Sequence, residues 1–193
     1  MRGFPIPARL RKPASCLRRC LLVALGLLLA HTAELRAEGP QEYQVKAAMV
    51  FNMAKYIEWP ADAFASSSAP LAVCSMGRGP FAAALERYQG KTVLGHPLAL
   101  RRLSVGDEPA DCHLLVVGGI ERRYLAGVLD QARRRTVLTV SDLPDFARSG
   151  GMIGLVEQEG RVRFEINVKA AQHSRFKISS QLLKLAKIIK ESD

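Results

Sequence analysis

The chain predicts a three-layer α/β domain, with a mainly parallel sheet, helices on both faces and an antiparallel C-terminal hairpin at one edge. Three observations predict it. Short apolar runs at Leu71–Met76, 112–117 and 136–140 have the composition of buried strands. Segments with helical spacing alternate with these runs, and that alternation implies crossover connections and a sheet covered on both sides. Finally, two β-rich segments, 152–156 and 162–166, flank Glu157-Gln158-Glu159-Gly160, the punctuation of a hairpin.

The domain is expected to span residues 38–193, because residues 1–37 have the order of a secretory signal. Six basic residues (Arg2, Arg9, Arg11, Lys12, Arg18 and Arg19) precede an apolar run at 21–30, and Leu35-Arg36-Ala37 puts a small residue at the cleavage position. The apolar run is shorter than the roughly 20 residues that cross a bilayer. Cleavage near Ala37 and passage through the inner membrane to the periplasm are expected, with an uncleaved anchor as the alternative. Cys16 and Cys20 precede the apolar run, which argues against a lipoprotein.

Beyond Ala37, residues 42–56 read as a helix: Val45, Met49, Asn52 or Met53, and Tyr56 recur at helical spacing. Pro60 ends it and holds Ile57-Glu58-Trp59 extended. After the strand at Leu71–Met76, Gly77-Arg78-Gly79-Pro80 turns the chain into a helix reaching Tyr88, with Pro80 near the first helical position. Residues 97–103 form a second strand and 112–117 a third. An amphipathic helix follows at 121–132, its C-terminal end marked by Arg133, Arg134 and Arg135. Asn167 suits a helix N-cap. The last segment reads as one amphipathic helix with Ile178, Leu182, Leu185 and Ile189 on one face.

Composition narrows the function classes. The 28 Lys+Arg and 18 Asp+Glu give the whole chain +10. Seven of those basic residues and one acid lie in 1–37, so 38–193 holds 21 basic and 17 acidic residues, about +4. The support for a nucleic-acid partner goes with the leader. Two cysteines follow the leader, Cys74 and Cys112. In an exported protein an even count favours a structural disulfide; two separate buried thiols are the alternative.

Catalytic and metal-binding patterns are weak. His96, His113 and His173 are far apart in sequence and lack metal-ligand spacing. His113 lies in a buried-strand run, where a hydrogen-bonded core histidine is the ordinary reading. No G-x-S-x-G is present. Gly77-Arg78-Gly79 resembles part of an anion-binding turn, but Ala82 stands where a third glycine would be. Asp142 and Asp145 flank Pro144 in a loop after a strand, where α/β folds bind ligands; turn formation explains them equally. No catalytic residue, metal or cofactor is expected.

A longer pattern is more informative. The stretch Val45-Lys46-Ala47-Ala48-Met49-Val50-Phe51-Asn52-Met53-Ala54-Lys55-Tyr56-Ile57-Glu58-Trp59-Pro60 resembles the opening signature of the YfiR family. Val140-Ser141-Asp142, Phe146 and Gly150-Gly151-Met152-Ile153 are similar to its central loop and strand. Phe164-Glu165-Ile166-Asn167, Ala170-Ala171 and 178–186 are similar to its close. Two departures stand out. Residues 142–152 lack the second cysteine pair found in some relatives, and Ser174-Arg175-Phe176-Lys177 replaces a Gly-Leu step before the last helix.

The resemblance implies an α/β periplasmic regulator, usually a homodimer. Its implied partner is the periplasmic sensory domain of an inner-membrane diguanylate cyclase, which it holds inactive. An outer-membrane lipoprotein would relieve the repression. Phe51, Trp59 and Phe164 are expected to be packing residues, and the partner-binding surface is not identified by sequence. The alternative function is a periplasmic small-molecule sensor, with Gly77–Pro80 and the Asp142 loop lining its cleft.

Overall fold

The computed structural model describes residues 39–190, so the expected signal peptide and its cleavage point near Ala37 lie outside the described residues. Helix α1 (Pro40–Met53) opens with Gly39 extended at the N-cap, Pro40 where its missing N–H costs nothing, and Glu42 in the first turn. It tightens into a 3-10 turn (Ala54–Tyr56) and passes into β1 (Ile57–Glu58) just ahead of Pro60. Strand β2 (Leu71–Met76) leads through Pro80 into α2 (Phe81–Leu85) and a 3-10 turn (Glu86–Tyr88). A hairpin of β3 (Thr92–Val93) and β4 (His96–Leu103) follows, then β5 (Leu114–Val117), α3 (Arg122–Arg134) and β6 (Leu138–Ser141). Strands β7 (Ile153–Gln158) and β8 (Arg161–Asn167) form the expected hairpin.

The eight-stranded sheet runs β10-β8-β7-β6-β5-β2-β4-β3, with β10 (Lys187–Ile189) at one end. Its centre, β4-β2-β5-β6-β7, is parallel; β3 pairs antiparallel with β4, and β8 with β7. Alternation along the central strands divides the core between two faces. Leu71 and Val73 of β2, Leu114 and Val116 of β5, and Leu138 and Val140 of β6 pack with α1, α2 and Phe176. Cys74, Met76, Leu115 and Val117 pack on the other face against Leu125, Val128, Leu129 and Ala132 of α3. The sheet therefore lies between two helical layers, as its largely buried, mostly apolar central strands require.

The C-terminal segment departs from expectation. Instead of one helix after the N-cap, the chain forms α4 (Val168–His173), β9 (Lys177–Ile178), α5 (Ser180–Leu185) and β10. Arg175 breaks the first helix by adopting φ +64°, and Phe176 folds back with its N–H donating to the Ala171 carbonyl (3.0 Å). Ser179 caps α5, and Ala186 ends it with extended angles. Leu182 is buried but Leu185 is 74% exposed, so the helical stripe is not one face. The β-branched Ile188-Ile189 instead extend the ladder beside β8, in register Ile188↔Ile166. This places the β7–β8 hairpin one strand in from the edge. Strand β9 pairs with β1 in a separate two-stranded sheet.

Candidate functional site

Residues of the sequence signature meet in space, mostly as framework. From α1, Lys46 sends its Nζ to Asp142 Oδ2 and Glu42 Oε1, each at 2.8 Å, with the Tyr43 ring 4.5 Å away. Lys46 is 2% exposed, so this is a charge cluster withdrawn from solvent. It locks the first helix to the loop after β6. Ser141 Oγ, at the end of β6, donates to the Val117 carbonyl (2.7 Å) and accepts from the Leu143 N–H (3.0 Å). Asn167 Nδ2 donates to Ala147 O while its Oδ1 accepts from the Ala170 N–H, both at 2.9 Å. One side chain thus caps α4 and pins the 142–152 loop. Asp142 serves the Lys46 cluster, and Phe164 is buried in the core, with Phe51 and Trp59 partly buried against it.

The order β4-β2-β5-β6-β7 reverses direction between β2 and β5, the position where open α/β sheets hold ligands beyond their strand C-termini. A crevice of about 580 Å³ lies there, lined by Gly77, Arg78, Val105, Gly119, Glu121 and Tyr124 among others. Its two glycine-bearing loops are joined to each other: the Arg78 N–H donates to Gly119 O (3.2 Å) and the Gly119 N–H to Arg78 O (2.8 Å). Close approach explains the glycines. A Cβ on Gly118 would stand 2.8 Å from Arg78 O, and one on Gly77 would stand 2.7 Å from Ile120 Cγ2. The Gly119 amide that an anion would recruit here is engaged by this bridge. Asp142 is not among the residues lining this crevice.

A second cleft of about 580 Å³ opens near the N-terminal ends of β2, β5 and β6. Cys74 in β2 and Cys112, two residues before β5, are joined by a disulfide with Cα atoms 5.8 Å apart. Strand β5 starts at 114, later than its apolar run, because Cys112 closes a turn with its N–H donating to Pro109 O (3.2 Å). Cys112 lines the cleft with Trp59, Ala63, His113, Thr136 and Arg175. Thr136 and Arg175 both take positive φ (53° and 64°). That conformation is uncommon for any side chain and an outlier for a β-branched one.

His113 has both ring nitrogens committed. Nδ1 accepts from the Ala72 N–H at 3.0 Å, so the proton sits on Nε2, which donates to Ala63 O at 2.8 Å. Burial pushes its pKa below the ordinary histidine value; charge on His96 acts in the same direction, against the opposing effect of the Ala63 bond. The ring is therefore a neutral, hydrogen-bonded residue. Phe64 lies between two imidazoles, stacked on His96 (3.8 Å between centroids) and on His113 (4.6 Å). Trp59 packs edge-on against Phe64, His113 and Phe176.

The histidines, separated in sequence, are thus only partly brought together: His96 and His113 share Phe64, while His173 is exposed in the last turn of α4. Arg134 pairs with Asp130 and Arg135 with Glu108, on and beside the solvated end of α3. Lys46, Phe64 and Arg175 had no site signal in sequence, since a lysine in an amphipathic helix reads as solvated and Phe64 lies in a loop. Among the described residues no group of three or more His, Cys, Asp or Glu side chains could hold a metal, and no helix is long and apolar enough to cross a membrane.

Solved structures share the fold at low identity. The ABC domain from Streptococcus pneumonia, in complex with L-Trp, is 12% identical at TM-score 0.51, covering 76% of this chain and 60% of that one. A conserved domain protein from Vibrio cholerae o1 biovar eltor str. n16961 is 10% identical at TM-score 0.53, covering 77% of this chain and 60% of that one. The chain thus spans about three-fifths of the length of each. No curated protein matches it. The YfiR/HmsC-like family matches residues 43–187, from the first turn of α1 to the first residue of β10, and the chain belongs to that family.

Proposed function

We propose that this protein is an exported regulator that binds the periplasmic sensory domain of an inner-membrane diguanylate cyclase and holds the enzyme inactive, lowering cyclic-di-GMP. The observation that carries this reading is the extent of the family match, residues 43–187, which takes in α1 through α5 and the central sheet. The site geometry supports it. Side chains that resembled chemistry in the sequence, His113 and Asp142, are tied into framework bonds, and the Gly77 turn is bridged to Gly119. The mechanism is differential affinity: a regulator that prefers the inactive cyclase conformation shifts its equilibrium by that preference and no more. A homodimer and release by an outer-membrane lipoprotein belong to the same proposal. Deleting the gene and measuring cyclic-di-GMP tests it. A rise, with a cyclase recovered by periplasmic cross-linking, is expected; unchanged levels and no cross-linked cyclase would reject it.

A second reading, a periplasmic small-molecule sensor acting on another envelope system, has one observation in its favour: the cleft beside the disulfide, with two positive-φ residues in its wall. Thermal-shift screening separates the readings, because a ligand of the native state raises Tm above its Kd. L-Trp, bound by one protein of similar fold, is the first compound to test.

A further inference from the structure

Residues 60–69 cross the mouth of the second cleft without a helix or strand of their own. Two local turns shape the segment, with the Ala63 N–H donating to Pro60 O and the Ala69 N–H to Ser66 O. What fastens it to the sheet is a pair of histidines. His113 Nε2–H donates to Ala63 O at 2.8 Å, and His96 donates from Nδ1 to Ala69 O at 2.6 Å, since a carbonyl can only accept. The Phe64 side chain is clamped between the two rings. The remaining tether is the Asp62–Arg175 pair (3.1 Å), whose partners are more than half exposed and which contributes little.

We propose that residues 60–69 form a strap closed by two imidazoles, His96 and His113, and that protonation of His113 at mildly acidic pH opens it. The reason is a donor conflict. His113 Nδ1 receives the Ala72 N–H of β2, so a second proton there would set one donor against another. The ring cannot become imidazolium and keep both bonds. Relief requires it to turn away from Ala72, which takes Nε2–H from Ala63 O and unseats Phe64. Nearby charges do not resolve the conflict, because it lies at Nδ1, where the Ala72 N–H stands, and the neighbouring charged groups bond one another rather than the His113 ring. Arg101 of β4 meets Asp111 (3.1 Å), Arg135 after α3 meets Glu108 (2.8 Å), and Arg175 meets Asp62 of the strap itself. His96, across Phe64, adds repulsion when charged. Burial acts in the same sense by depressing the folded-state pKa of His113. The closed strap is therefore fully favoured above the unperturbed histidine value, about 6.5, and is lost as pH falls from there through the folded-state pKa. Opening would bare Trp59, Phe64 and Phe176, making acid an input that the fold itself can read, whatever partner it serves.

Trp59 is the only tryptophan in the chain and touches Phe64, His113 and Phe176. Acrylamide quenching of its fluorescence, on the full chain as the cell processes it, reads the strap directly. The quenching constant should rise several-fold between about pH 7.5 and about pH 5, with far-UV circular dichroism unchanged. His113→Gln, which keeps an N–H for Ala63 but gains no proton, should flatten the response. A pH-independent constant, an unaltered transition in His113→Gln, or loss of circular dichroism in the same transition would overturn the proposal. Imidazole NMR of the unaltered protein decides the matter if that variant does not fold. His113 titrating together with the Trp59 indole N–H supports the strap, and either signal moving without the other refutes it.

Discussion

Lys46 offers the sharpest test of what holds the fold together. Its ammonium lies 2.8 Å from both Asp142 and Glu42, and the three side chains are 2%, 11% and 17% exposed. Lys46→Met keeps the unbranched stem and removes the charge. Two carboxylates are then left in a low-dielectric pocket with their shared cation gone. Removing one partner of a buried pair costs about 3–5 kcal/mol, far more than the pair contributes relative to an apolar replacement, because the survivors cannot recover their hydration. In a domain of this size each kcal/mol corresponds to roughly 2–4 °C, so Tm should fall by about 6–20 °C. Urea unfolding at neutral pH, followed by circular dichroism, gives the number. The double variant Lys46→Met/Asp142→Asn should be less destabilised than the two single variants added together, with a coupling above about 0.5 kcal/mol. A Lys46→Met protein within about 0.5 kcal/mol of the parent, the range of ordinary surface substitutions, would refute the claim that this cluster anchors α1.

Two further outcomes follow from the geometry. Replacing Cys74 and Cys112 by alanine opens a crosslink of sequence separation 38. Chain entropy puts the loss at about 4 kcal/mol, which a guanidinium melt of parent and variant would register; equal midpoints would contradict it. Gly151→Ala would place a Cβ 2.2–2.6 Å from ring atoms of the buried Phe146. An overpacking loss of about 1–3 kcal/mol is expected in the same melt, and Phe146→Leu in the same chain should recover part of it.

Much of the sheet was legible because a buried parallel strand leaves little choice. Leu71–Met76 needs apolar groups toward both faces, and its strand bounds coincide with those of its apolar run. The β7–β8 hairpin was equally plain, since alternation and a Glu-Gly turn are local signals. The C-terminal segment was not. Its apolar spacing fits a helix, but a three-residue strand depends on the edge that β8 offers, and Leu185 and Ile189 do not share a helix face because the helix ends at Leu185 and Ala186 is extended. The strand read from Cys112 begins two residues later, at Leu114, for a similar reason: a turn hydrogen bond from Cys112 to Pro109 outweighs the strand preference of its neighbours.

By itself, the sequence determined the α/β class, the position of most strands, the family signature and a plausible cysteine pair, all of which follow from short-range pattern or from composition. Tertiary structure alone decided that Lys46 is a buried cation, that the Gly77 turn is bridged to Gly119, and that Phe64 sits between two histidines. Each of those depends on groups tens of residues apart whose meeting is set by strand order. Periodicity records which side of an element faces inward, but it carries no information about what waits there.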